Sequence, residues 1–211
     1  MAGKLSLQSN YQVRGYSISQ GRPVGVVDLS YDFASGVYLS GQVFGALPND
    51  YNPGLLGTIG DIGYARRLND ILSVDGGVTR SEYFNIGPGG YHTGYTEIYA
   101  GLAMRRLSAH LYYSPDYFRP GSKTLYGDID GNVGLIADVR LNAHIGALDW
   151  VGWTSPRPLP RTQYDWSVGL SRQFGAIDLH AALSGGGPSP QFYAGQAHGK
   201  TTFIVGAGYT F

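Results

Sequence analysis

The sequence has no cysteine, which excludes disulfides and thiolate metal sites. It has no apolar run near the ~18 residues of a membrane-spanning helix, and nowhere does helical spacing of apolar residues persist. Charge is scarce. Asp, Glu, Lys and Arg make up 14% of the 211 residues, against roughly 25% in ordinary soluble domains. The 15 acids balance the 15 bases, so no basic stripe marks a nucleic-acid partner and no charge run marks a tail. No apolar leader follows Met1; the chain reads Ala2-Gly3-Lys4-Leu5. The expectation is a mature exported sequence with a new start methionine.

Glycine (33) and tyrosine (17) are abundant instead, with no collagen-like period or low-complexity tract to account for the glycines. The dominant signal is period-two alternation, in segments of about ten residues, the length of a tilted membrane-spanning strand. The first segment, near Leu5–Tyr16, sets Leu5, Leu7, Tyr11 and Val13 against Gln8, Asn10, Gln12 and Arg14. The next sets Val27, Leu29, Tyr31 and Phe33 against Asp28, Ser30 and Asp32. Similar segments recur to Phe203, Val205, Ala207, Tyr209 and Phe211 at the end. The fourth, about Thr58–Arg67, is mixed, with Ile59 and Ile62 on opposite faces.

Tight turns follow the even segments. Longer loops near 46–56, 84–93, 149–161 and 185–199 follow odd ones. The pattern predicts one all-β domain over residues 1–211: a closed antiparallel transmembrane β-barrel of about twelve strands. Short turns then face the periplasm and long loops the exterior of a bacterial outer membrane.

A soluble barrel also alternates, and three features decide for the membrane. The polar face is rich in Ser, Gly, Thr and Asn, which suits a confined wet lumen. Tyr11, Tyr31, Phe33, Tyr113, Tyr164, Trp166 and Tyr209 lie near strand ends on the apolar face, as aromatic girdles do. The terminal Phe211, with Tyr209 and Ala207 alternating behind it, resembles the signal read by the barrel-assembly machinery. Expected partners are therefore outer-membrane lipid, lipopolysaccharide and that machinery, with small solutes in the lumen.

Ser9-Asn10-Tyr11-Gln12-Val13-Arg14-Gly15-Tyr16-Ser17-Ile18-Ser19-Gln20-Gly21-Arg22-Pro23, with Ser35-Gly36-Val37-Tyr38-Leu39-Ser40-Gly41 one hairpin later, resembles the proteobacterial Gcw_chp family. Tyr113-Ser114-Pro115-Asp116-Tyr117-Phe118 and Trp166 to Gly175 extend the likeness over most of the chain. The resemblance implies an outer-membrane barrel and assigns no catalytic residue.

The lumen candidates are Arg14, Asp28, Asp32, Asp75, Glu97, His110, Asp128, Asp130, Arg140, His144, Asp165, Asp178 and His180. Asp128, Asp130 and Asn132 are expected beside Arg140, Asn142 and His144 across a tight turn. Two readings of that group stay open: a charged constriction that selects solutes, or an internal ion-pair network that fixes register. Ser108-Ala109-His110 is the nearest match to the Ser/His pair of lipid-hydrolysing barrels, but its order is reversed and its parity places both groups in the lumen, away from acyl chains.

Aspartates and histidines are scattered without metal-ligand spacing. Gly87-Pro88-Gly89-Gly90 and Gly185-Gly186-Gly187-Pro188 lack the helix of a phosphate loop and read as surface loops, so no cofactor is expected. Twelve strands lie between filled eight-stranded and open sixteen-stranded barrels. The functional expectation is a narrow passive channel for small hydrophilic solutes. The alternatives are a non-conducting structural or surface-interaction barrel and, more remotely, a lipid hydrolase.

Overall fold

The computed structural model describes residues 1–47, 54–86, 91–152, 161–188 and 201–211. Twelve antiparallel strands close into a barrel. They are β1 (Ala2–Gln8), β4 (Val24–Asp32), β5 (Val37–Ala46), β6 (Leu55–Arg67), β7 (Ser73–Ile86), β8 (Tyr91–Ala103), β9 (Leu107–Ser114), β10 (Lys123–Gly134), β11 (Val139–Gly152), β12 (Thr162–Phe174), β13 (Ile177–Gly187) and β14 (Thr202–Thr210). A separate two-stranded ribbon, β2 (Gln12–Val13) and β3 (Tyr16–Ser17), completes the set.

Wall strands pair with their sequence neighbours in the wall, and β1 closes the ring on β14, from Lys4 opposite Thr210 to Gln8 opposite Gly206. Beyond that ladder Gly3 and Phe211 exchange backbone hydrogen bonds of 3.0 and 2.9 Å. No edge of the twelve-stranded wall is left open, the condition for crossing hydrocarbon.

The alternation puts one apolar stripe on the outside. Leu29, Val43, Ile62, Val78, Ile98, Leu111, Ile129, Ile145, Val168, Leu183 and Val205 are all exposed. A soluble barrel buries such a set. Aromatic residues mark both margins: Tyr31, Phe33, Tyr64, Phe174, Tyr209 and Phe211 at the end with the tight turns, and Tyr113, Tyr164, Trp166 and Phe203 toward the loops. The mixed fourth segment resolves on β6, where Ile62 faces out and Ile59 packs against the lumenal core.

Two expectations need correction. The first strand ends at Gln8, not Tyr16. Tyr11 therefore leaves the outer girdle; it is 9% exposed and stacks on Phe44 at 4.3 Å inside the barrel. Gly185, Gly186 and Gly187 are not loop; they extend β13. Most of the long loops, Gly87 to Gly90 included, fall outside the described residues.

Glycines give lumenal rings room to lie over the wall. Tyr126 of β10 covers Gly146 of β11, whose missing Cβ would come within 2.7 Å of the ring's Cζ. His110 of β9 covers Gly101 of β8 in the same way, its Nε2 2.7 Å from that position.

Ile129 is 52% exposed on the outer stripe at mid-strand. Ile129→Arg should destabilise the barrel by about 2–4 kcal/mol. The lumenal change Asn132→Ser on the same strand should stay within about 0.5 kcal/mol. Urea unfolding in lipid vesicles checks both.

Candidate functional site: the lumen and its inward hairpin

After Gln8 the chain leaves the wall and enters the lumen. Ser9 holds the departure point, its N–H donating to the Val205 carbonyl at 2.8 Å. Asn10 ties the base of the ribbon: its Oδ1 accepts from the Ser17 and Ser19 hydroxyls at 2.6 and 2.8 Å. The Tyr11 N–H donates to Ser19 Oγ at 3.0 Å. These short polar side chains make the local bonds that a continuous strand would not allow.

The ribbon turns at Arg14-Gly15, with Val13 opposite Tyr16. Both turn residues have positive φ, 49° and 78°, as a type I′ hairpin requires. Gly adopts this freely. An arginine there costs on the order of 1–3 kcal/mol, and Asn or Asp is the usual choice. The arginine is kept at the tip against its backbone preference.

Its side chain accounts for that. The guanidinium donates from Nη2 to Glu97 Oε2 at 2.7 Å. Its carbon lies 3.9 Å from the ring centre of Tyr126, 5.3 Å from Tyr117, 5.5 Å from Tyr112 and 5.9 Å from Tyr95. Glu97 is 2% exposed. A buried cation thus sits in a cage of tyrosine faces with one carboxylate.

The ribbon reaches the wall around its circumference. The Tyr11 hydroxyl bonds Gln42 on β5. The Tyr16 hydroxyl donates to Gln163 Oε1 on β12 at 2.7 Å. Ser184 on β13 donates to Gln12. The 115–122 loop folds in beside it, with Tyr117 4.5 Å from Tyr95 and 5.7 Å from Trp150 between ring centres. Val24, Val26, Phe44, Leu56, Tyr83, Leu148 and Trp150 complete this core. The loop-end half of the lumen is thereby packed.

The other half is wet. A cavity of about 530 Å³ lies under the ribbon, bounded by Gln12, Arg14 and Gly15 and by Asp61, Asp75 and Asp165 of the wall. It shares Asp61 with a cavity of about 350 Å³ and His144 and Ser167 with one of about 410 Å³, both toward the turn end.

Two acid–histidine–acid bridges run along its wall. His110 lies 3.6 Å from Asp75 and 3.5 Å from Asp128. His144 is 2.8 Å from both Asp130 and Asp165. The Tyr126 hydroxyl donates to Asp165 at 3.3 Å, linking the second bridge to the cage.

The structure therefore brings together Arg14, Glu97, His110, His144, Asp75, Asp128, Asp130 and Asp165. Asp28 lies apart, accepting from Gln42 at 2.6 Å. Asp178 sits between Lys4 at 3.8 Å and His180 at 3.5 Å. Asp32 is exposed at the turn-end rim.

Arg140 departs from expectation. It is exposed opposite Gly134, while His144 is the residue opposite Asp130. Pairing across the turn runs antiparallel, so Arg140, the second residue of β11, meets the last residue of β10 rather than its aspartates. Ser108 and His110 share the lumenal face, at Asp130 and Asp128.

Sequence reasoning missed Asp61, Gln163 and the cage tyrosines 95, 112, 117 and 126. Tyr99, Tyr112 and Tyr126 each lie two residues from a lumen candidate, Glu97, His110 and Asp128, and so share its face; that excess of rings inside was the available signal.

A closed twelve-stranded barrel with an apolar exterior and a polar, charged lumen is the architecture of outer-membrane porins. The chain belongs to the Gcw_chp family, bacterial proteins of unknown function, which it matches over residues 1–210. Among solved structures it is similar to the KdgM porin in complex with disordered oligogalacturonate, at 17% identity and a TM-score of 0.61, covering 100% of this chain and 99% of that one. It is similar to the NanC porin at 13% identity and a TM-score of 0.64, covering 97% and 98%. An outer-membrane channel of Pseudomonas putida F1 aligns at 12% identity and a TM-score of 0.57, covering 99% and 93%. No curated protein matches the chain.

Glu97→Ala leaves the Arg14 charge buried beside tyrosines and should cost about 3–5 kcal/mol of stability. Arg14→Ala with Glu97→Ala should recover part of that loss. A double-mutant cycle by unfolding in detergent micelles reads the coupling; strict additivity would contradict the pairing.

Proposed function

We propose that this barrel is a narrow passive channel of the outer membrane for small hydrophilic solutes, favouring cationic and neutral ones. The carrying observation is the charge of the wet half. Asp28, Asp61, Asp75, Asp128, Asp130 and Asp165 line it, while the cations Lys4 and Arg14 face Asp178 and Glu97 and Arg140 stands near the turn-end rim, opposite Gly134. Among the described residues His110 and His144 answer Asp75, Asp128, Asp130 and Asp165 along the two bridges, while Asp28 and Asp61 accept from the neutral Gln42 and Ser40. Carboxylates in a confined, low-dielectric bore select cations. The likeness of the fold to the KdgM and NanC porins supports a channel. Oligogalacturonate, named with KdgM, is a polyanion, and this acidic lumen disfavours such a solute.

A second reading has its own observation. The packed loop-end half, with Tyr83, Phe44 and Tyr117 fully buried, favours a shut barrel whose loops serve surface contact. The conducting and shut readings separate in one measurement.

In planar bilayers a salt gradient across the protein should give a small conductance with a reversal potential of cation sign. Asp128→Lys with Asp130→Lys should move that potential toward the anion side. A trace closed under every voltage and salt would sink the channel reading.

A further inference from the structure

We propose that the β2–β3 hairpin is a gate, and that Arg14 latches it by occupying a cage fit for the cationic group of a solute. The inference rests on the channel reading above and adds how the channel opens and what opens it.

The hairpin, with the 115–122 loop packed beside it, separates the wet half from the loop end. Gln12, Arg14 and Gly15 roof the cavity of about 530 Å³, while Tyr11, Tyr16 and Ile18 are buried on the packed side. It is made to be separable. It forms its own two-stranded sheet, with no ladder pairing to the wall among the described residues. Its ties to the wall include the side-chain contacts of Tyr11 to Gln42, Tyr16 to Gln163, Gln12 to Ser184 and Arg14 to Glu97. Such bonds can be exchanged for water or solute without breaking the barrel, whereas ladder bonds cannot.

Arg14 is the tie with recognition chemistry. A guanidinium held by one buried carboxylate and the faces of Tyr95, Tyr112, Tyr117 and Tyr126 matches how aromatic cages take organic cations. The positive φ at Arg14 means that this side chain is held at the tip against backbone preference. Asp75, Asp128 and Asp165 line the same cavity and concentrate cations beneath it. A guanidinium or ammonium group arriving there meets Glu97 and the tyrosine faces as a competitor for the place Arg14 holds. Its binding releases the tip, and binding that favours the released state shifts the population toward it. The solute class that opens the gate is therefore a small organic cation.

The test is single-channel recording of the full chain in planar bilayers. Arg14→Ala should raise open probability about tenfold or more, a factor within reach of desolvated cation–π contacts alone. Glu97→Gln, which keeps the side-chain shape, should act in the same direction and covers the case in which Arg14→Ala does not fold. Replacing part of the sodium by guanidinium at constant ionic strength should raise the open probability of the wild type and not raise that of Arg14→Ala further. Urea, of the same shape and uncharged, should leave the small wild-type conductance unchanged.

The chain has no cysteine, so Gln12→Cys with Ser184→Cys admits a short thiol crosslinker across the hairpin and wall. That link should hold the channel closed in guanidinium. A wild type that conducts no differently from Arg14→Ala and Glu97→Gln overturns the gate, as does a crosslinked form that opens normally. Opening by urea as by guanidinium overturns the cation site. Silence of every form, the latch variants included, overturns the channel reading instead.

Discussion

An unpaired backbone amide in hydrocarbon costs several kcal/mol, and the seam between β1 and β14 is where this barrel meets that constraint. Each of the other wall strands is joined in sequence to a wall neighbour. The seam joins the first residues to the last, from Gly3 with Phe211 through Gln8 with Gly206. Once the ring is closed there, every wall side chain has one of two destinations, lipid or lumen. The exterior stripe, the polar lumen and the girdles follow from that division. So does the hairpin: only a closed wall gives Asn10 to Pro23 an interior to enter.

Much of this was legible because two-residue periodicity is a local property. Leu29, Val43, Ile129 and Val168 alternate with polar neighbours whatever the distant contacts are, and the tight turns announce the pairing. The failure at the first strand has a tertiary cause. Tyr11 and Val13 resume the parity of Leu5 and Leu7 across Ser9, so alternation extends the first strand past Gln8, where the backbone turns away. What redirects it is the bonding of Asn10 to Ser17 and Ser19 and of Ser9 to Val205. Those are tertiary events, and alternation is blind to them. Two stretches that resemble the Gcw_chp family, Ser9 to Pro23 and Tyr113 to Phe118, lie largely in the segments that fold inward.

The site was legible by face and not by partner. Parity placed Asp75, His110, Asp128, Asp130, His144 and Asp165 in the lumen, but their grouping into two bridges depends on contacts across strands. Arg140 shows the limit: nearness in sequence to the aspartates did not become contact, because antiparallel pairing set it opposite Gly134. Arg14 shows the converse. Glu97 lies 83 residues away in sequence and on the far side of several strands, and no local pattern joins them.

The glycines beneath the lumenal rings solve a problem that alternation leaves open. A slip of one residue between neighbouring strands exchanges lipid and lumen faces and is heavily penalised. A slip of two keeps every face correct, so hydrophobicity cannot detect it. The ring of Tyr126 can. In the native pairing it lies over Gly146, and a two-residue shift along β11 carries it onto His144 or Leu148, where a side chain fills the space. His110 over Gly101 tests β8 against β9 in the same manner. Ring and glycine act together as a key and its slot, checking the alignment that the lipid cannot.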